Sequence, residues 1–311
     1  MEISVLLNKM VIFVALMVIG YFLARKKIIG QEFTRTMSRL VLDVFMVGTI
    51  LSSMISTGSE RELTNLGEIL LLTFVTTLLG YLLAVIFCRF IPVEKENAPS
   101  YEILMAVSNN MFIALPIADA LYGSYAVFIV SMSCIPFNVF LYSYGVWRLK
   151  GREQSTGKGL RLKDMFSIPL IATLVGIILI VTHIPVPTAV KGVFSSLAGA
   201  TMPLSMMVIG SSLGSVSLID AFRNPRLAIL SLARLIVIPV LTFFVLRLLT
   251  SDAVLLMTCT IIAAAPCAVI VSVLAIQYGR DGIFSSEGVQ HSTVCSMLTI
   301  PLLIKLLSAL V

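Results

Sequence analysis

Apolar runs long enough to cross a bilayer recur along almost the whole of this 311-residue chain. A bilayer-spanning helix needs about 20 consecutive apolar residues. Only 12% of the residues are charged, whereas a typical soluble domain carries about 25%. The pattern predicts an all-α membrane protein and excludes an ordinary soluble fold. The ten predicted segments are residues 3–24, 34–56, 66–91, 101–121, 125–149, 165–183, 190–213, 226–249, 254–278 and 283–310.

The connection after the fifth segment divides the chain into two halves. Residues 150–164 are basic and rich in Gly, Ser and Thr, and they form a predicted cytoplasmic linker between residues 1–149 and residues 165–311. Because each half holds five segments, an odd number, the second half must enter the membrane with the opposite orientation. The count therefore predicts ten transmembrane helices in two inverted five-helix repeats.

Basic residues are distributed unequally between the two sets of connections. Sixteen Lys and Arg residues flank the odd-numbered connections, and five lie on the other side. Cytoplasmic loops carry an excess of Lys and Arg. The asymmetry predicts a multi-pass protein of the plasma (inner) membrane with both termini on the non-cytoplasmic side. It also accounts for the net charge of +6 without a nucleic-acid partner.

Two prolines, Pro116 and Pro266, lie at corresponding places in the two halves, within the fourth and ninth segments. Proline removes a backbone donor and clashes with the preceding turn. In hydrocarbon, freed backbone groups are tolerated only where they are buried in protein or line a wet cavity. A pair of interrupted segments in matching positions indicates a transporter's binding site. We therefore predict broken fourth and ninth helices, with Pro116, Pro266 and Cys267 at the substrate site.

Two amide side chains, Asn109 and Asn110, precede Pro116 in the fourth segment. The N-terminal end of a half-helix carries partial positive charge and free N–H groups, which suit a carboxylate. Amides beside it can bond both the backbone and a ligand. These two residues either bind substrate or simply satisfy freed backbone groups, and the second interruption at Pro266 favours the first interpretation.

Ionisable residues inside apolar segments are costly and usually mark function or pairing. Asp43 and Arg234 lie at similar predicted depth with opposite charge, so they form either a structural ion pair or, for Arg234, an anchor for an anionic substrate. Glu287 and His291 are spaced i, i+4 and share one helix face. They could couple transport to protons or form a plain helix contact. Asp43, Glu287 and His291 are the candidate ion-coupling residues.

Several kinds of chemistry lack a sequence signature. The five cysteines fall in or at the ends of apolar segments without metal-ligand spacing, and no nucleotide-binding loop or hydrolase motif is present. We expect no metal, no cofactor and no enzymatic activity. The small residues Gly210 and Gly214 match the small-xxx-small pattern that lets helices approach closely.

At these residues the chain resembles the auxin efflux carrier family, which includes the plant PIN auxin exporters. The similarity is carried by Asn109 followed seven positions later by Pro116, and by the runs 203–210, 234–239 and 266–268. It implies ten helices in an inverted repeat, with broken helices four and nine crossing at mid-membrane. It also implies export or exchange of small organic anions, and some relatives are homodimers.

The chain departs from the family pattern at Ala114, where a glycine is usual, at Ser108, and around Asp43, where a proline is common. These departures favour a prokaryotic-type carrier over an auxin exporter. We expect a secondary transporter of a small carboxylate that works by alternating access in the lipid bilayer. The alternatives are a sodium-coupled symporter of the bile-acid type, for which oxygen ligands near Pro266 are few, and a non-transporting membrane sensor.

Overall fold

The computed structural model describes residues 3–57, 65–91, 93–150, 166–214 and 218–311. Within these ranges regular secondary structure is helical, apart from one isolated bridge between Ser108 and Cys267. The predicted linker lies outside the described residues except for Lys150. The helices are α1 (Ile3–Arg25), α2 (residues 31–57), α3 (Leu66–Phe90), α4 (Ala98–Ala106), α5 (Asn110–Tyr122), α6 (Ser124–Lys150), α7 (Ile168–Thr182), α8 (Thr188–Gly214), α9 (Leu218–Arg223), α10 (Pro225–Arg247), α11 (Ala253–Ala264), α12 (Val269–Gln277) and α13 (Gly282–Ser308).

Each of the ten predicted segments coincides with helix, and the fourth and ninth each coincide with two helices. Six helices are long and apolar enough to cross a membrane by length and composition, namely α2, α3, α6, α8, α10 and α13. Shorter apolar helices occupy Val11–Arg25 within α1, together with α5, α7 and α11. The all-helical architecture is confirmed, while the ten-span inverted repeat stays a prediction.

Two segments are interrupted, as predicted, but only one of the two prolines lies at an interruption. Pro266 lies between α11 and α12. The first interruption falls at residues 107–109, between α4 and α5, and Pro116 lies inside α5. The expectation that Pro116 breaks the fourth segment is therefore wrong.

The physical reason is a π-helical turn, Asn110–Ala114, that opens α5 just before Pro116. A proline ring normally strikes the carbonyl of the preceding turn. A π turn is wider than an α turn, so we infer that it accommodates the ring without breaking the helix. Pro239 follows a second π turn in α10 in the same way. The described residues contain four such turns: Val41–Phe45, Asn110–Ala114, Leu141–Gly145 and Ala233–Val237.

The chain divides into two compact units, each drawing on both halves of the sequence. Unit 1 comprises residues 1–70, 111–134 and 167–217, and unit 2 comprises residues 71–110, 135–166 and 218–311. The predicted repeats 1–149 and 165–311 concern the order of segments along the chain, and they remain a prediction.

Unit 1 contains a seam where α1 and α8 touch through backbone. A Cβ added to Gly210 would overlap the carbonyl of Met17, and one added to Gly20 would overlap the backbone of Met207. At Gly214 the added atom would lie 2.7 Å from the Tyr21 carbonyl oxygen. The small-residue pattern predicted for residues 210–214 is thus confirmed as a close helix contact.

Unit 2 is closed at one end by polar contacts among its helix termini. The buried carboxylate of Glu102 accepts hydrogen bonds from the Tyr144 hydroxyl at 2.5 Å and from Arg148 Nε at 3.0 Å. The Tyr101 hydroxyl donates to the carbonyl of Arg226 at 2.9 Å. Arg280 Nε donates to the Leu149 carbonyl at the end of α6 at 2.7 Å. The bond from Arg280 satisfies a carbonyl that the end of α6 leaves unpaired, and the other contacts join α4 to α6 and to α10 beside the interruptions.

Candidate functional site

The two interruptions of unit 2 pair with each other through backbone. The N–H of Asn109 donates to the carbonyl of Pro266 at 2.8 Å, and the N–H of Ala268 donates to the carbonyl of Val107 at 3.0 Å. Ser108 and Cys267 therefore face each other in an antiparallel bridge. Unpaired backbone groups in an apolar interior cost several kcal/mol, and this exchange satisfies four of them. The two interrupted segments stabilise each other at the point where each stops being helical.

Serine side chains complete the local pairing. Ser292 of α13 accepts a hydrogen bond from the Cys267 N–H at 3.1 Å. The Ser108 hydroxyl donates to Oδ1 of Asn110 at 2.7 Å, and it thereby fixes the orientation of the amide where α5 begins. The first residues of α5 and α12 both lie beside this bridge, so the positive ends of two half-helices are in the same region.

Arg234 lies in the π turn of α10 and is 1% exposed. Its Nε donates to the carbonyl of Ala265, at the C-terminal end of α11, at 3.2 Å. A cation at this end of a helix interacts favourably with the helix dipole. Its Nη2 atom is buried and has no hydrogen-bond partner among the described residues. The guanidinium is therefore anchored at one nitrogen and unsatisfied at another.

A small cavity of about 10 Å³ lies beside the paired interruptions, within unit 2. Its polar lining includes Arg234, Ser108 and Asn110, together with Tyr81 and Thr76 from α3. The Tyr81 hydroxyl is buried without a hydrogen-bond partner among the described residues. Gly80 allows the close approach of α3 and α4, since a Cβ there would lie 3.2 Å from the Ala106 carbonyl oxygen.

The structure brings together most of the predicted substrate-site residues. Asn110 and Arg234 line the cavity, whereas Asn109, Pro266 and Cys267 form the backbone bridge beside it. The remaining member of the predicted set, Pro116, belongs to unit 1.

The predicted ion-coupling residues lie in other surroundings. Asp43 is exposed, in the π turn of α2 in unit 1. His291 is buried in α13, with Nδ1 2.7 Å from the Ser231 hydroxyl and its ring 4.4 Å from that of Phe222. Glu287 is half-buried one turn earlier. The Asp43–Arg234 ion pair and the proton-coupling role of Glu287 and His291 stay predictions.

Sequence reasoning missed Tyr81 and Ser292. A tyrosine within an apolar run fits the pattern of a membrane span, so the sequence alone does not indicate a functional role for its hydroxyl. The available signal was the spacing of Thr73, Thr76, Thr77 and Gly80 with Tyr81, which places small and polar groups on one side of α3. For Ser292 the sequence offers no comparable signal.

Comparison with known proteins bears on the whole chain. A transporter of uncharacterised function from Methanothermobacter thermautotrophicus is 24% identical over 293 residues, which cover 92% of this chain and 93% of that protein. A second uncharacterised transporter, from Methanocaldococcus jannaschii, is 24% identical over 222 residues, or 68% of this chain and 70% of that protein. The profile of the membrane transport protein family matches residues 5–304. The chain therefore belongs to the membrane transport protein family, the auxin efflux carrier family that its sequence resembles.

Proposed function

We propose that the protein is a secondary transporter that exports or exchanges a small organic anion, a carboxylate, by alternating access around the paired interruptions. The observation that carries the proposal is a buried guanidinium, that of Arg234, beside two helix breaks that bond to each other. Broken helices in membrane transporters present dipole ends and free backbone groups to substrate. Membership of a transporter family supports the same activity.

The proposed site assigns one role to each group of residues. Arg234 attracts the carboxylate, and Asn109 and Asn110 provide amide groups where α5 begins. The backbone bridge at Pro266 and Cys267 holds these groups in register. In this proposal the fourth and ninth segments cross at mid-membrane, and the ten segments form two inverted repeats with both termini outside the cytoplasm.

A fixed positive charge also bears on the choice between an anion and a cation. The Ala265 carbonyl, an oxygen that a sodium ion at the interruption could use, accepts a hydrogen bond from Arg234. Sodium needs several oxygen ligands, and a nearby guanidinium repels it. This favours an anion carrier that needs no sodium. A membrane potential that is negative inside drives anion exit with about 2.3 kcal/mol per charge per 100 mV.

The test is transport by the purified protein in proteoliposomes. Radiolabelled carboxylates are screened with an imposed voltage, proton gradient or sodium gradient in turn. We expect uptake under voltage alone, and we expect Arg234→Gln to reduce it by tenfold or more, about 1.4 kcal/mol. Arg247→Gln, at the exposed end of the same helix, is the matched control. Strict dependence on sodium, or equal transport by the two variants, would refute the proposal.

A further inference from the structure

Arg234 has no compensating carboxylate among the described residues of unit 2. Among the described carboxylates of this unit, Glu102 pairs with Arg148 and Glu94 pairs with Arg226. Asp252 accepts hydrogen bonds from the first N–H groups of α11. None of the unit's described carboxylates forms an ion pair with Arg234. A buried charge is expensive unless it is paired, and Arg234 Nη2 has no partner among the described residues. The guanidinium therefore favours binding of an anion from outside this unit.

A second free donor lines the same cavity. The Tyr81 hydroxyl is buried without a partner in the described structure, and the side chain is 6% exposed. The ring of Phe140 stacks on Tyr81 at a centroid distance of 5.3 Å, and Tyr144 meets it edge-on at 5.7 Å. These contacts fix the ring, so the hydroxyl is held at the cavity wall.

The size of the cavity limits what can occupy it. At about 10 Å³, it offers roughly the room that one water needs. A chloride ion is somewhat larger than a water and requires a small outward shift of the lining side chains, whereas the carbon skeleton of an organic acid requires the cavity to open much further. Arg234 contributes donors and no acceptor. The Thr76 hydroxyl already donates to the Leu72 carbonyl at 2.7 Å. One positive charge and two buried donors without a partner among the described residues favour an anion, which only accepts hydrogen bonds, over water, which would leave the charge unneutralised.

We propose that the cavity binds a chloride-class inorganic anion between Arg234 and Tyr81 when no organic substrate is present. The anion neutralises the guanidinium and accepts two charge-assisted hydrogen bonds, one from the unpaired N–H of Arg234 and one from the hydroxyl of Tyr81. In the transport cycle the substrate carboxylate displaces this anion from Arg234. Only that displacement rests on the proposed function, because the binding is measured without substrate or membrane potential.

The test is the thermal stability of the purified full-length protein as chloride replaces isethionate, an organic anion without a carboxylate, at constant ionic strength. A ligand that binds only the folded protein raises Tm in a saturable way, and we expect a shift on the order of a few °C. Tyr81→Phe should raise the chloride concentration at half-effect by about tenfold, since it removes one hydrogen bond to an anion. Arg234→Gln should abolish the response, and Arg247→Gln should keep it.

Three results would overturn the proposal: equal Tm in chloride and isethionate, a full chloride response in Arg234→Gln, or stabilisation by formate or acetate but not by chloride. The last result would assign the cavity to the substrate's own carboxylate. Should Arg234→Gln fail to fold, crystals of the unmodified protein grown in bromide give the second measurement. An anomalous peak beside Arg234 and Tyr81 supports the proposal, and its absence at saturating bromide refutes it.

Discussion

Asn109 donates its backbone N–H to the carbonyl of Pro266 across 157 positions of the chain, at 2.8 Å. Together with the reciprocal bond from Ala268 to Val107, it joins two helix breaks that have no complete set of hydrogen bonds of their own. Each break therefore depends on the other, and a change that removes one donor should affect both segments.

Removing the donor at Ala268 tests this dependence. Ala268 has φ −76° and ψ 135°, which proline can adopt, so Ala268→Pro deletes the N–H without forcing a new backbone conformation. We expect a loss of about 1–3 kcal/mol, because the Val107 carbonyl is left buried and unpaired. Ala268→Gly retains the N–H and is the control. The measurement is the free energy of unfolding in detergent, and equal stability of the two variants would contradict the account.

The seam between α1 and α8 makes a second prediction. Gly210→Ala places a methyl group against the Met17 carbonyl, and overpacking of this kind costs about 1–3 kcal/mol. Gly199 lies in the same helix with no atom within 4 Å of an added Cβ. We expect Gly199→Ala to leave Tm unchanged or higher, since alanine is the better helix former. A similar Tm for both variants would show that the seam does not limit stability.

A third prediction concerns the buried carboxylate of Glu102. Arg148→Met removes one of the two partners described above for this carboxylate and keeps the other, the hydroxyl of Tyr144. The side chain of Arg148 is 30% exposed. We expect a loss of about 1–3 kcal/mol, below the full value for a buried pair because solvent screens the arginine. Arg89→Met, at an exposed site, should change little. In Glu102→Gln the added loss from Arg148→Met should shrink, and a double-mutant cycle that shows no coupling would refute the interaction.

A fourth prediction separates the two interpretations of His291. If this residue carries the coupling proton, His291→Gln should flatten the pH dependence of transport, because the glutamine side chain does not change charge with pH whereas an imidazole does. His183→Asn alters the chain's other histidine, which is exposed and has a positive φ of 51° that asparagine tolerates. An unchanged pH profile in His291→Gln with a lower Tm would identify the contact with Ser231 as purely structural.

Hydropathy locates the helices of this protein well because an apolar run of bilayer length has few alternatives to helix. It locates their interruptions less well. Pro266 lies in a break, and the residues on either side of this region, Ala265 and Ala268, are both extended. Pro116 does not, because the π turn at residues 110–114 accommodates it, and no composition marks that turn in advance.

The same contrast applies to the site. Arg234 was predictable because a charge in an apolar run is costly enough to stand out. Tyr81 was not, because its ring satisfies the apolar pattern while its hydroxyl becomes significant only when α3 packs beside the break. The pairing of Ser108 with Cys267 joins residues that are far apart in the chain, and spacing within one segment carries no information about it.

The bond from Arg234 to the Ala265 carbonyl has an electrical consequence for a carrier of this design. In the proposed transport cycle the interrupted ninth segment takes part in substrate binding. Because Arg234 is hydrogen-bonded to that segment, we expect the guanidinium to move with it. A loaded carrier with a monovalent guest is electroneutral around the arginine, and a carrier that returns without any anion bears a net positive charge. The proposed mechanism therefore predicts that voltage changes the rate of the step in which the anion-free carrier returns, and has little effect on the step in which the loaded carrier moves.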